Sequence, residues 1–217
     1  RDIANIPFGQ IMSPTSPIMN IDLSSYTRVS EVLSYFVEPS LVEWMLKNKS
    51  TYKKTRKYAM KVGTEADLAI KEFVISGKYG KVKTVEGQSC LDGFKKWFDD
   101  YHPPLRIGKR LFNEELKVTG EPDLYYFDRI IDIKCSSEVR PKYHLQTAAY
   151  SWLETRHLET GILRLHKALH DYEYVQRDAS QVSRDLTCFF SLLSIYRYFN
   201  PIKNGESNAN HPSDNTF

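Results

Sequence analysis

The chain has 217 residues, is 41% hydrophobic and 26% charged, and carries a formal net charge of +3. That length holds one domain with a sizeable core and excludes a second complete one. The charge excludes bulk electrostatics as a nucleic-acid signal, so any such surface must come from local clustering. Three cysteines, Cys90, Cys135 and Cys188, stand far apart without a CxxC pair, which argues against a zinc site, an iron–sulfur cluster or a disulfide framework. No apolar run approaches the roughly 20 residues that cross a bilayer, and no basic segment leads into an apolar one at the N-terminus. A soluble, cytoplasmic protein with reduced thiols and no membrane partner is expected. Its first residue is Arg rather than Met, as in a fragment of a longer chain.

In chain order, residues 1–25 carry SPTSP and little periodicity, and a flexible or extended segment is expected there. The folded body should span 26–199. It opens with a helix over TRVSEVLSYF that ends before Pro39, then one over SLVEWMLK with Ser40 and Glu43 at capping-box spacing. A third helix, VGTEADLAIKEFVIS, places Ala66, Ala69, Ile70 and Phe73 on one face. From about residue 105 short strand-like runs appear, LRIGKRLF, DLYYF and IIDIK, followed by a helix over YHLQTAAYSWLE. Two further strands, ILRLHKAL and YEYVQR, lead to a closing helix bearing Val182, Leu186, Phe189, Leu193 and Tyr196. Residues 200–217, polar and rich in Asn, Ser and Pro, read as a flexible tail. There is no internal repeat, and the pattern is that of one α/β domain.

The stretch GEPDLYYFDRIIDIK carries the chemistry. With Asp128 and Arg129 as a two-residue turn, Asp123 faces Lys134 and Asp132 faces Tyr125, and all four side chains project from one face. Cross-strand neighbours there have Cβ atoms roughly 5 Å apart, a spacing that suits two carboxylates sharing a cation. Hard cations such as Mg²⁺ take carboxylate and carbonyl oxygens, so Asp123, Asp132 and the Ile133 carbonyl make a plausible partial shell. Lys134 would orient a water or offset developing negative charge, and the implied chemistry is phosphodiester hydrolysis. Facing acids and bases on a strand pair also make ordinary salt-bridged surface. Gln146 and Tyr150, four apart on the next helix, share a face and can bond phosphate or base edges, or simply form a polar border to the core.

Taken in order, PD, then DIK, then Q-x-x-x-Y resembles the PD-(D/E)XK nuclease superfamily, in the branch of RecB-type nucleases, lambda-type phage exonucleases and mitochondrial genome-maintenance exonucleases. SYTRVSEVL, LVEWMLK, VGTEADLAIKEF, RLFNEELKVTGEPDLYYF and DIKCSS extend the likeness over roughly residues 26–198. The resemblance implies a restriction-endonuclease-like core, a mixed central sheet flanked by helices with a helical N-terminal part, and Mg²⁺- or Mn²⁺-dependent cleavage of DNA. By residue match Asp123 and Asp132 would bind metal, Lys134 would activate water, Gln146 and Tyr150 would support the site, and Ser136 and Ser137 would contact phosphate. An exonuclease of phage or bacterial recombination and repair is favoured, with an endonuclease of the same fold or an inactive DNA-binding module as alternatives. Lambda-type relatives form rings, so a homo-oligomer is a possible state.

Two positions depart from the family pattern. Where it has Gly-x-x-x-His, this chain has Gly63 and Asp67, and Asp67 is expected to replace the histidine as a hard oxygen ligand. The additional glutamate of the family falls near Gly108 to Arg110, which carry no acid; Glu114 and Glu115 are nearby but expected at an exposed turn. The DNA path is expected along KNKSTYKKTRKYAMK, residues 47–61, with seven Lys or Arg, no acid, and Tyr52 and Tyr58 interleaved. Lys47, Lys53, Lys54, Arg56 and Lys57 are the candidates, with Lys142 beyond them, for a strand that is single or has a free end.

Overall fold

In the computed structural model, which describes residues 22–154 and 158–201, a five-stranded sheet carries helices on both faces. Most of the two ends expected to be flexible lies outside the described residues. The chain enters as β1 (Thr27–Arg28) and α1 (Val29–Val32), tightens into a 3₁₀ turn at Leu33–Tyr35, and continues as α2 (Pro39–Lys47), α3 (Tyr52–Ser76) and α4 (Val85–Tyr101). The helix expected over TRVSEVLSYF is therefore divided. Thr27 donates its N–H to the Lys117 carbonyl at 2.8 Å, which keeps the first two residues extended, and Glu31 turns back to accept the Arg28 N–H at 2.9 Å and starts the helix there. The expected capping box at Ser40 and Glu43 does not form, because Pro39 occupies the first helical position and Glu38 becomes the N-cap. Proline suits that position, having a preset φ and no N–H to leave unbonded.

Helix α3 buries Val62, Ala66, Ala69 and Ile70, and ends at Gly77, whose φ of 72° closes the last turn. The basic stretch 47–61 thus runs from the last residue of α2, Lys47, through the connection into the first ten residues of this same helix. α4 was not anticipated: two glycines and six charged residues dilute its apolar periodicity, yet it buries Cys90, Leu91, Phe94 and Trp97. Its start was legible in Thr84, whose hydroxyl accepts the Gly87 N–H at 3.1 Å.

The remaining elements are β2 (Leu105–Ile107), β3 (Leu111–Asn113), β4 (Val118–Gly120), β5 (Leu124–Tyr126), β6 (Arg129–Lys134), α5 (Pro141–Leu153), β7 (Glu159–Leu165), β8 (Tyr172–Arg177) and α6 (Ala179–Phe199). The main sheet runs β2-β5-β6-β7-β8, with β6 and β7 parallel and the other pairs antiparallel; β1, β4 and β3 form a small second sheet. LRIGKRLF, expected as one run, breaks at Gly108 and feeds both sheets. The β6–β7 pair needs a crossover, and α5 supplies it. One face of the main sheet packs Leu124, Ile131, Ile133, Leu163 and Leu165 against α3 and α4, while the other packs Tyr125 and Ile130 beneath α5, α6 and α1.

The hairpin register differs from expectation. Tyr126 pairs with Arg129, Tyr125 with Ile130 and Leu124 with Ile131, so the turn is Phe127–Asp128. Phe127 adopts φ 48°, a left-handed conformation unusual for a bulky residue. Continued by one residue, the pairing sets Asp123 against Asp132 rather than Lys134. Moving the turn by one residue shifts each partner by two, so the side chains keep their common face.

Candidate active site

Strand β6 presents its side chains alternately. Ile131 and Ile133 face α3 and α4, so Asp132 and Lys134 share the opposite face with Ile130, beneath α5. Asp132 is only 1% exposed, and the Lys134 ammonium contacts its Oδ2. Lys134 Nζ also stands 5.2 Å from the centroid of the Tyr143 ring, whose face favours a cation.

Asp123, just before β5, is fixed at both ends. Its Oδ2 accepts the Ile133 N–H at 2.8 Å, and its carbonyl accepts the Gly108 N–H at 2.9 Å. Gly108 is a steric requirement: a Cβ there would lie 1.7 Å from the Pro122 carbonyl oxygen. The Ile133 amide thus points to the β5 edge, and in a strand the carbonyl of a residue leaves on the same side as its amide. That carbonyl opens beside Asp123.

Asp67 arrives from α3 on the other face of the sheet. Its Oδ2 accepts from Lys71 Nζ at 2.9 Å, and its Oδ1 is buried without a hydrogen-bond partner. Burial pushes its carboxyl up, the Lys71 bond opposes this, and the charge of Asp123 adds to it. Asp132 is perturbed further: burial, repulsion from Asp123 and repulsion from Asp67 outweigh Lys134 and push its carboxyl up to about 7. Burial acts on Lys134 in the opposite sense, but attraction to Asp132 and Asp123 prevails and holds its ammonium above the usual lysine range. Three carboxylates against the two ammoniums of Lys134 and Lys71 leave at most one excess negative charge in a place with little water.

That charge, together with the orphaned Asp67 Oδ1, fits a hard divalent cation held by oxygen donors. The donors available on the β5–β6 edge are the Asp123 and Asp132 carboxylates and the Ile133 carbonyl. Among the described residues no three His, Cys, Asp or Glu side chains are grouped so as to hold a metal ion, so Asp67 is not part of a ready-made three-carboxylate shell.

Gln146 Nε2 donates to Tyr150 Oη at 2.8 Å, as their spacing on α5 allows. Burial first, and then Asp132, push the Tyr150 phenol up, so it stays protonated. Gly120 makes room for it, since a Cβ there would lie 2.5 Å from the Tyr150 ring. The Ser136 hydroxyl is committed to the Glu138 carbonyl at 2.8 Å, while Ser137 is exposed, with its carbonyl accepting from Arg164 at 3.0 Å. Lys142 is half-buried; burial pulls its ammonium down, and repulsion from Arg140, Lys134 and Arg56 adds to this against the attraction of Glu38. Lys47, Lys53, Lys54, Arg56 and Lys57 are all exposed.

No acid replaces the glutamate expected near Gly108. Arg110 instead pairs with Glu121 at 2.8 Å, Glu114 bonds Tyr26 and Lys117, and Glu115 is exposed. Sequence reasoning missed Lys71 and Tyr143. The first was legible as an acid and a base four apart on a helix; the second had no signal.

The fold is shared with solved structures. A candidate exonuclease from Eubacterium rectale matches with a TM-score of 0.56 at 15% identity over 83% of each chain. An alkaline exonuclease from Laribacter hongkongensis gives 0.41 at 12% identity, over 81% of this chain and 92% of that one. A phage-related exonuclease from Haemophilus somnus gives 0.39 at 18%, over 81% and 95%. No family model matches the sequence, and no curated protein does. Likeness at 15% identity establishes the fold and leaves activity to be argued from the site.

Proposed function

We propose that the protein is a divalent-cation-dependent DNA nuclease, an exonuclease of phage or bacterial recombination and repair. The observation that carries this reading is the convergence of Asp123, Asp132 and Lys134 where the interior strands β5 and β6 meet, with Asp123 fixed by the Ile133 and Gly108 amides. Mg²⁺ or Mn²⁺ at Asp123, Asp132 and the Ile133 carbonyl would supply Lewis-acid charge to the scissile phosphate. Lys134, kept charged by its two carboxylates, orients the attacking water and offsets negative charge as the phosphorus gains a fifth oxygen. Tyr150, neutral and positioned by Gln146, offers a hydroxyl to a phosphate oxygen. Asp67 adds negative charge that favours cation uptake.

Incubating end-labelled linear DNA and closed circular DNA with Mg²⁺ or Mn²⁺ tests the reading. Products from linear DNA only are expected. Cutting of the circle would make the enzyme an endonuclease. A specific observation favours an inactive DNA-binding module: no third carboxylate joins Asp123 and Asp132 among the described residues. Binding in Ca²⁺ with no cleavage in Mg²⁺ or Mn²⁺ would select that module.

A further inference from the structure

Cys90 and Cys135 are distant in the sequence but belong to one packed cluster, on the face of the main sheet that α3 and α4 cover. Strand β6 turns Ile131 and Ile133 to that face, and period-two alternation puts Cys135, the residue after Lys134, there as well. The parallel register pairs Lys134 with Arg164, so one step further sets Cys135 beside Leu165, about 4.8 Å away across the strand spacing. Cys90 reaches the same residue from α4: its thiol donates to the Leu165 carbonyl at 3.7 Å. Both sulfurs are therefore gathered at Leu165, and they share a hydrogen bond with each other.

Helix α4 is tied down at this point. The Ser89 hydroxyl donates to the His166 carbonyl at 2.9 Å and accepts the His170 N–H at 3.0 Å, which fixes the helix to the connection after β7. Cys90 is fully buried, whereas Cys135 is half-buried and lies where the β6 ladder has ended. A reagent from solution thus reaches Cys135 first. Among the described residues no third His, Cys, Asp or Glu joins the pair to hold a metal ion, and a tetrahedral thiolate metal site takes four ligands. The third thiol, Cys188, is exposed on α6, which packs on the opposite face of the sheet.

We propose that Cys90 and Cys135 are a redox-active dithiol, a modification site that closes to a disulfide when it meets a small-molecule disulfide of the glutathione class. The Cys135 sulfur attacks one sulfur of the oxidant and expels a thiolate, leaving a mixed disulfide. Cys90 then attacks the Cys135 sulfur and expels the second thiolate, and the two thiol protons pass to the two leaving groups. Two protein thiols are oxidised and one small-molecule disulfide is reduced. The bond itself is independent of the nuclease reading, while its effect on catalysis rests on that reading. Closing it draws the end of β6 toward α4 and displaces Lys134, the residue before Cys135. A misplacement of about 1 Å at a reacting group costs up to about 10²-fold in rate, so about a tenfold loss of cleavage is expected.

The test equilibrates the folded chain in glutathione buffers of rising oxidised fraction, without DNA, then traps free thiols by alkylation and maps the peptides by mass spectrometry. The wild type is expected to give a Cys90–Cys135 cross-link that dithiothreitol reverses, with Cys188 outside it. In urea this selectivity should vanish, because the fold no longer holds the two sulfurs together. Cys90→Ala should leave Cys135 carrying glutathione, and Cys135→Ala, at the less buried position, should leave Cys90 unmodified. A wild type in which Cys188 takes up glutathione while Cys90 and Cys135 stay free overturns the proposal, as does a cross-link from Cys90 to Cys188 in equal yield. Cleavage of linear DNA in Mn²⁺ is then compared before and after oxidation. The wild type should lose about tenfold and regain it in dithiothreitol, while Cys135→Ala should keep the reduced wild-type rate in both states. A cross-link with an unchanged rate overturns the coupling to Lys134. A cross-link in a chain that never cleaves sinks the nuclease and leaves the dithiol standing, and cleavage without the cross-link does the reverse.

Discussion

Replacing Asp132 with Asn should stabilise the protein while abolishing its activity. The carboxyl is 1% exposed and pushed up to about 7 from an ordinary 3.8, so the folded state resists its ionisation even with Lys134 in contact. A rise of that size sets a ceiling of about 4 kcal/mol. Relaxation, water entry and the loss of the Asp132 charge beside the Lys134 ammonium, which Asp123 still attracts, reduce this, and about 1–3 kcal/mol is expected. The sign follows from proton uptake: between pH 4 and 7 the folded state holds a proton that the unfolded state has lost. Stability from this group is therefore complete below about pH 4, declines as the pH rises, and is gone above 7. Asn mimics the protonated shape and does not titrate, so its advantage should grow from pH 5 to pH 8, reaching about 3–10 °C in Tm at pH 8. Mg²⁺ should narrow the gap by stabilising only the wild type. Thermal unfolding in EDTA and in Mg²⁺ at the two pH values checks this. An Asn variant less stable than wild type at pH 8 would refute the claim that Asp132 is a destabilised carboxylate.

Lys134→Ala should leave the fold and metal affinity near wild type and lower the cleavage rate by about 10²-fold or more, measured by single-turnover kinetics. Asp67→Asn should weaken Mn²⁺ binding in calorimetry without abolishing it, because it removes a negative charge that Asp132 feels and not a ligand. Gly108→Ala should cost about 3 kcal/mol or more in urea denaturation, since its Cβ would meet the Pro122 carbonyl and displace the Asp123 backbone it holds.

The chemistry was more legible in the sequence than the architecture around it. Period-two alternation placed Asp132 and Lys134 on a common face, and the error in the turn left this untouched because faces repeat every two residues. The turn itself was hidden, since a left-handed Phe127 has no signal in residue type. The closing helix and YEYVQR were readable from apolar spacing, whereas α4 was obscured by its glycines and charges. The division of LRIGKRLF between two sheets depends on the close approach of Gly108 to Pro122, a tertiary contact. Asp67 could be placed at the border of a helix face, but its partnership with Lys71 and its distance from a complete ligand shell follow from how α3 lies across the sheet.

The most direct test of the central claim is to titrate Mn²⁺ into wild type and Asp123→Asn, following the heat of binding and the release of label from linear DNA in parallel. Hydrolysis by the wild type should rise over the same concentration range as ion uptake, and Asp123→Asn should lose both. Cleavage by Asp123→Asn at the wild-type rate, or full activity of the wild type in EDTA, would contradict a carboxylate-held cation at the β5–β6 edge.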